Sequence, residues 1–169
     1  MLSEHIAFSI MAERQKHSHD KLHLYTLVDG LEYERLFQEE ITQGETVFPL
    51  FIQPINQDVA FAGPWLVNIR LCAEDMQNRV LQLERTYPSV SWLISSFSLT
   101  SVFNHLESQL HLRLEDNRYA LLRYYDPQVL NKLPTVLTPT QFTLFTLQID
   151  EWLYYHNNHY YSLMTGQIS

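Results

Sequence analysis

Three histidines near the N-terminus are the first residues whose types and spacing could support chemistry. His17, His19 and His23 are spaced i, i+2, i+6, and imidazole nitrogens bind zinc and copper. A spacing of two residues fits one face of a strand, but only Asp20 lies close enough in the sequence to complete a set of ligands. A solvated polar arm is the simpler interpretation, and the sequence therefore predicts no metal site.

Nucleophilic and cofactor-dependent chemistry has little support in the sequence. Cys72 is the single cysteine, which excludes thiolate zinc sites and Cys-x-x-Cys motifs, and a lone cysteine beside a strand is usually a small buried hydrophobe. Phosphate-binding loops need closely spaced glycines, whereas the four glycines here lie far apart. The sequence also lacks a G-x-S-x-G elbow and an H-E-x-x-H helix. We therefore predict a protein that is not an enzyme and holds no cofactor.

Arg123 and Asp126 bracket two tyrosines in the sequence Arg-Tyr-Tyr-Asp-Pro. An arginine presents a fork of donors that matches a carboxylate, so Arg123 is a candidate for binding a carboxylate of a substrate or partner. It can also brace the corner between a strand and a helix by pairing with Asp126 or another acid, and we favour this structural role. Both residues remain candidates for partner binding.

Aromatic residues accumulate between Trp152 and Tyr161. Tyrosine and tryptophan are enriched at interfaces because they supply contact area at a low cost in entropy. Some of these rings are expected to fill the core, but their density favours an interface. We predict that Tyr154, Tyr160 and Tyr161 bind a partner.

The composition is that of one soluble domain. A chain of 169 residues has one-domain length, and its net charge of −8 comes from 11 basic and 19 acidic residues. The basic residues are scattered, so a phosphate-binding surface is not expected. The N-terminus lacks the pattern of a signal peptide, no run approaches the roughly 20 apolar residues that span a bilayer, and one cysteine fits a reducing compartment. We expect a cytoplasmic protein that binds neither nucleic acid nor membrane.

Short β-rich runs alternate with helical stripes along the chain. Strands are predicted at His23–Asp29, Val47–Ile52, Pro64–Ile69, Val90–Phe97, Tyr119–Tyr125 and Leu147–Tyr155. Helices are predicted over 33–41, 76–87 and 99–110, after Asp126-Pro127, and at the capping box that starts at Thr138, with a loop over 53–63. This alternation favours an α/β fold, a single domain with a mixed β-sheet and helices packed on it. Its predicted parts are an N-terminal polar arm or helix (1–21), the α/β domain (22–155) and a C-terminal tail (156–169).

The segment Ala120–Leu133 (ALLRYYDPQVLNKL) resembles the hallmark of the DUF4123 domain family, which is a strand ending in arginine, aromatics, Asp-Pro and a short helix. Other pieces follow the order that this family shows. They are Asp29-Gly30, Gly63–Val67, Trp92–Ser96, the helix Leu99–Leu110, Gln141 and Trp152. The resemblance covers residues 22–155, and it assigns Arg123, Asp126 and Pro127 to the family motif.

What the resemblance implies is a binding role. Members of that family are adaptors or chaperones that bind an effector toxin in the cytoplasm and load it onto the VgrG spike of a type VI secretion system. The implied partners are therefore an effector and VgrG. Many members carry a further C-terminal lobe, so any contact made by that lobe would have to be made differently here. Two alternatives stay open: an immunity-like inhibitor whose acidic surface blocks a basic toxin, and a hydrolase that uses Asp29, Arg123 or Asp126.

Overall fold

An antiparallel sheet of seven strands forms the centre of the protein. The computed structural model describes residues 1–113 and 116–169. The strands of the central sheet are β1 (His23–Asp29), β2 (Val47–Pro49), β3 (Pro64–Val67), β4 (Val90–Ser95), β7 (Glu151–His156), β8 (His159–Ser162) and β9 (Gly166–Gln167). Their order is β2-β3-β1-β4-β7-β8-β9. A separate hairpin consists of β5 (His111–Arg113) and β6 (Tyr119–Leu121).

Helices cover both faces of the central sheet. They are α1 (Ile6–Lys16), α2 (Gly30–Phe37), α3 (Glu74–Thr86), α4 (Leu99–Ser108), α5 (Pro127–Leu130), α6 (Leu133–Val136) and α7 (Pro139–Phe145), with short 3-10 helices at Leu2–Glu4 and Pro54–Ala62. Within the described ranges, no helix combines the length and the apolar character that crossing a membrane requires.

The central strands are buried on both faces because their apolar side chains point alternately to two cores. In β1, Leu24 and Val28 belong to the first core, whereas Tyr25 and Leu27 belong to the second. Trp92 in β4 is fully buried in the first core. The sheet is therefore the middle layer of a three-layer domain.

Each core is closed by its own set of helices. The first core takes buried residues from α1, α2 and α3, including Met11, Tyr33 and Val80. The second core takes them from α4 through α7, including Leu106 and Phe145. The helices from the first half of the chain thus cover one face, and those from the second half cover the other.

The predicted single α/β domain with helices packed on a sheet is confirmed, although every pairing in the sheet is antiparallel and not mixed. Pro49 lies in the edge strand β2, as expected for a residue that cannot donate to a ladder. The capping box at Thr138 is also confirmed, since Thr138 and Gln141 exchange side-chain to backbone hydrogen bonds.

Several predicted elements differ from the structure. The strand predicted at Tyr119–Tyr125 ends at Leu121 and joins the hairpin, because Tyr124 and Tyr125 turn into the second core. The helix predicted over 33–41 ends at Phe37, since Gln38 adopts a left-handed conformation with φ of 54°.

Further differences concern the segment after β2 and the C-terminal strands. The predicted loop 53–63 contains the 3-10 helix Pro54–Ala62, and the strand predicted from Leu147 starts at Glu151. Residues 156–169, expected as a tail, contribute β8 and β9 to the central sheet.

Candidate functional site

A tight corner forms where β1 ends and α2 begins. The Gly30 amide donates to the carbonyl of Gly63 at 2.8 Å, and the Trp65 indole N–H donates to the carbonyl of Phe61 at 3.0 Å. A Cβ on Gly30 would lie 1.7 Å from that same Phe61 oxygen. Glycine is required here because the backbone of one segment lies directly against the backbone of the other.

Asp29 is a buried carboxyl at this corner. Its Oδ1 accepts the Leu31 amide at 3.0 Å and caps α2. Burial raises the pKa of Asp29 from 3.8 to about 6, while the Leu31 amide and the charge of Arg123 oppose that rise. Ionisation of Asp29 therefore lowers the stability of the folded state, whereas its hydrogen bond from the Leu31 amide stabilises the start of α2.

Arg123 and Asp126, both predicted as partner-binding residues, lie near this corner but serve different local roles. The exposed Arg123 places its guanidinium carbon 5.7 Å from the centre of the Tyr125 ring, and its charge acts on Asp29. Asp126 caps α5, since its Oδ1 accepts the Gln128 amide at 2.9 Å. Pro127 follows at the first helical position, where its missing N–H costs nothing. The structure thus gives both residues an architectural role, and their role in partner binding stays a prediction.

The three predicted interface tyrosines do not form one exposed patch. Tyr154 is buried and donates to Asn131 Oδ1 at 3.0 Å, and Tyr161 stacks on it with ring centres 5.6 Å apart. Tyr160 points to the opposite face of β8, where it reaches Glu84. These rings stabilise the fold through at least one contact each, and their binding of a partner stays a prediction.

A buried polar cluster that the sequence did not reveal joins the N-terminus to the sheet. His5 Nε2 lies 2.8 Å from Glu84 Oε1, which also accepts the Tyr160 hydroxyl at 2.7 Å. The Trp92 indole N–H donates to Glu84 Oε2. Because His5 Nδ1 accepts the Ala7 amide, its Nε2 carries the proton that it donates to Glu84. Burial raises the pKa of the Tyr160 hydroxyl, and the nearby Glu84 charge adds to that rise.

A second link fixes the other end of α1. Glu151 is buried, and its Oε2 accepts a hydrogen bond from Arg14 at 3.0 Å. Its Oε1 accepts from the Ser162 hydroxyl and from the Trp152 amide. The helix therefore docks through His5 near its start and Arg14 near its end.

The groups of the buried polar cluster are bonded to one another within the protein. A cleft of about 600 Å³ lies beside His5 and Tyr160, but both ring nitrogens of His5 and both oxygens of Glu84 are engaged within the protein. Burial raises the pKa of the Cys72 thiol to about 11, which keeps it protonated and unreactive. No group of three or more His, Cys, Asp or Glu side chains placed to hold a metal exists in residues 1–113 and 116–169.

Exposed apolar side chains are concentrated on the hairpin and the last helices. Those that are at least 36% exposed on this side are Leu112, Tyr119, Leu121, Val136, Leu144 and Leu147. From Pro127 to Ile149, Lys132 is the only charged side chain, whereas 18% of the whole chain is charged. Of these side chains, Leu112 and Leu144 line one cleft, and a large exposed apolar patch marks a site of interaction.

A cleft between the hairpin and α7 lies within this surface. Its apolar lining consists of Leu112, Leu122, Leu137, Leu144 and Phe145, which define what we call the hairpin cleft. Its polar lining consists of Ser108, Gln109, His111 and Gln141. The cleft has a volume of about 130 Å³, far below the roughly 300–1,000 Å³ of pockets for drug-sized ligands. Its size and lining suit an aliphatic side chain.

Comparison with known proteins gives one family. The family described as "Domain of unknown function (DUF4123)" matches residues 24–144. Searches of curated proteins and of solved structures returned no significant match. The matched residues contain the corner at Asp29-Gly30, the Arg-Tyr-Tyr-Asp-Pro motif and most of the hairpin cleft, whereas α1, β7, β8 and β9 lie outside them.

Proposed function

This chain belongs to the DUF4123 family, and from that premise we propose that it is an adaptor or chaperone for an effector of type VI secretion. It binds the effector in the cytoplasm and helps to load it onto the VgrG spike. It performs no catalysis of its own. The observation that carries the proposal is the exposed apolar surface around the hairpin cleft, together with the nearly uncharged stretch from Pro127 to Ile149 beside it.

That surface has the chemistry of a protein interface. The centres of protein–protein interfaces are depleted in charged residues and are closed by a polar rim. Here a stretch with Lys132 as its single charge borders an apolar cleft whose lining also includes His111 and Gln141. By contrast, the buried polar groups at His5 and Glu84 are satisfied internally. A binding role therefore accounts for the exposed apolar cleft, whereas the polar groups that a reaction would need are bonded within the protein.

Affinity purification from the host cytoplasm, followed by mass spectrometry, tests the proposal. We expect the tagged protein to recover a VgrG spike protein together with one large effector. Recovery of neither from cells that express both would contradict the adaptor role. Enzymatic activity that is lost on changing Asp29 or Arg123, with the fold intact, would instead support a hydrolase.

The phenotype of a deletion distinguishes an adaptor from an immunity-like inhibitor. The net charge of −8 would steer the protein toward a basic toxin, so effector binding alone does not distinguish the two roles. Loss of an adaptor leaves the effector inside healthy producing cells and removes it from the secreted fraction. Loss of an inhibitor poisons the producing cells, and that outcome would overturn our proposal.

A further inference from the structure

We propose that the hairpin cleft binds an extended segment of the effector, apolar and uncharged where it enters the cleft, which adds as a third strand along the outer edge of β6. The inference rests on the proposed function for the identity of the partner. It goes beyond that function by naming the surface, the mode of binding and the chemistry of the bound segment.

Among the residues that the structure describes, no strand pairs with the outer edge of β6, and this edge suits a further strand. β5 and β6 form a sheet of two strands, in which Leu112 is opposite Ala120 and the Leu122 amide donates to the Leu110 carbonyl at 2.7 Å. Alternate pairs in an antiparallel ladder exchange hydrogen bonds. The N–H and C=O groups of Tyr119 and of Leu121 therefore point away from β5, toward the outer edge of β6. Such an edge is a template for an extended segment of another chain.

The side chains of β6 are apolar on both sides of the hairpin. Tyr119 is 68% exposed and Leu121 is 42% exposed, and both lie on the outer face because they are two residues apart. Leu122 follows on the opposite face, where it lines the hairpin cleft. A strand added at this edge would place alternate side chains beside Leu121 and beside the cleft.

The charge and the size of the site define the occupant. The described residues that line the cleft include no Asp, Glu, Lys or Arg, so a charged side chain placed in the cleft would lose its hydration without gaining an ionic partner. The cleft of about 130 Å³, whose lining includes Leu112, Leu137 and Leu144, matches an aliphatic side chain. The complementary segment is therefore extended, and it is apolar and uncharged where it enters the cleft.

Two substitutions test the two parts of the inference. Leu144→Asp places a charge in the cleft, and Leu121→Pro removes an outward amide that the ladder with β5 does not use. The probe is the purified effector that co-purifies with the wild-type protein and VgrG, and its dissociation constant is measured by calorimetry. We expect each change to weaken binding by about tenfold or more, as loss of an interface hot spot does.

A matched control tests whether a charge must lie in the cleft to weaken binding, or whether a charge at any exposed leucine has the same effect. Leu71 is 72% exposed and precedes α3, a helix of the first core. We expect Leu71→Asp to bind the effector as tightly as the wild-type protein. Circular dichroism confirms that each variant is folded. Should Leu121→Pro fail to fold, hydrogen exchange on the wild-type complex provides the same test, because strand addition must protect the amides of Tyr119 and Leu121.

The outcomes distinguish the two proposals. If the wild-type protein binds the effector and Leu144→Asp binds it equally well, the cleft is not the site, although the adaptor role stands. If the amides of Tyr119 and Leu121 exchange equally fast with and without the effector, strand addition is wrong. A change of oligomeric state in Leu144→Asp with unchanged effector binding would show that the cleft joins two copies of this chain. If the wild-type protein binds no effector, both proposals fail.

Discussion

At the scale of single residues, Asp29 is a buried carboxyl whose environment opposes its charge. It is 3% exposed, and burial raises its pKa to about 6. Between about pH 4 and pH 6 the folded state therefore binds more protons at this residue than the unfolded state does. The free energy of unfolding consequently falls as the pH rises through this window.

We predict that Asp29→Asn stabilises the protein at pH 8 by about 3 kcal/mol, since its pKa rises from 3.8 to about 6 and a shift of one pKa unit corresponds to about 1.4 kcal/mol. Asparagine caps a helix as well as aspartate does, so the bond to the Leu31 amide is kept. The gain should shrink below pH 6 and vanish near pH 4, which urea unfolding at several pH values would measure. An equal gain in Asp126→Asn, at a more exposed cap, would contradict the assignment to burial.

Gly30 is the second residue whose identity is set by its surroundings. A Cβ there would meet the Phe61 carbonyl oxygen at 1.7 Å and the Trp65 indole nitrogen at 2.8 Å, so the backbone of the corner would have to move. We predict that Gly30→Ala lowers the free energy of unfolding by at least about 2 kcal/mol. The matched control is Gly44→Ala, because nothing lies within 4 Å of its new Cβ. Its effect should stay within about 1 kcal/mol, and similar losses in the two variants would refute the close approach.

At the scale of elements, α1 is held by polar links at both of its ends as well as by an apolar face. Within this helix Ala7 and Met11 are buried, and Phe8 and Ile10 are partly buried against the first core. Its position depends on the contact of His5 with Glu84 and on that of Arg14 with Glu151. Hydrogen bonds to charged groups contribute about 1.5–3 kcal/mol each.

We predict that His5→Ala releases α1 locally and leaves the sheet folded. Glu84 keeps its bonds to Tyr160 and Trp92, so the loss is confined to the helix. Hydrogen exchange should show faster exchange over α1, by about tenfold or more, with unchanged protection in β1 and β4. His17→Ala, on an exposed side chain at the other end of the helix, should leave the exchange rates unchanged. Uniform loss of protection in His5→Ala would mean that the helix is part of the global folding unit.

The elements differ in how far local sequence predicts them. β1 was predicted with its observed bounds because Asp29-Gly30 ends its apolar run, and α7 was predicted because its capping box is a local signal. The strand expected through Tyr124 was wrong, since its apolar residues belong to a turn that fills the second core. Periodicity detects burial, but it does not separate a buried turn from a buried strand.

The polar sites depend on contacts that no local pattern encodes. His5 is 79 residues from Glu84, and Tyr160 is 76 residues from it. The sequence singled out Tyr160 by its aromatic neighbours but gave no sign of its carboxylate partner. The hairpin cleft was missed for a related reason, because the exposure of Leu112 and Leu144 follows only from the packing of the hairpin beside α7. The one available signal was the lack of charge between Pro127 and Ile149.

At the scale of the whole molecule, most of the acidic charge and the hairpin cleft lie on different elements. The net charge is −8, and many of the acids lie on the helices of the first core, such as Glu13, Glu34 and Glu74. The stretch from Pro127 to Ile149, which contains α5 to α7 and borders the cleft, has Lys132 as its single charge, although the exposed Arg118 and Arg123 flank β6. A partner that binds the acidic side should therefore depend strongly on salt and a partner that binds the cleft only weakly, because salt screens charge pairs and leaves apolar burial intact.

This separation predicts the salt dependence of effector binding. If the effector occupies the hairpin cleft, raising sodium chloride from 50 to 500 mM should change its dissociation constant by less than about threefold, since few ionic contacts are lost. An immunity-like inhibitor that covers a basic toxin with its acidic side should instead associate at least about tenfold more slowly over the same range, because electrostatic steering is lost. Stopped-flow association rates and calorimetry at each salt concentration would separate the two. A steep loss of both rate and affinity would place the effector on the acidic side and not in the cleft.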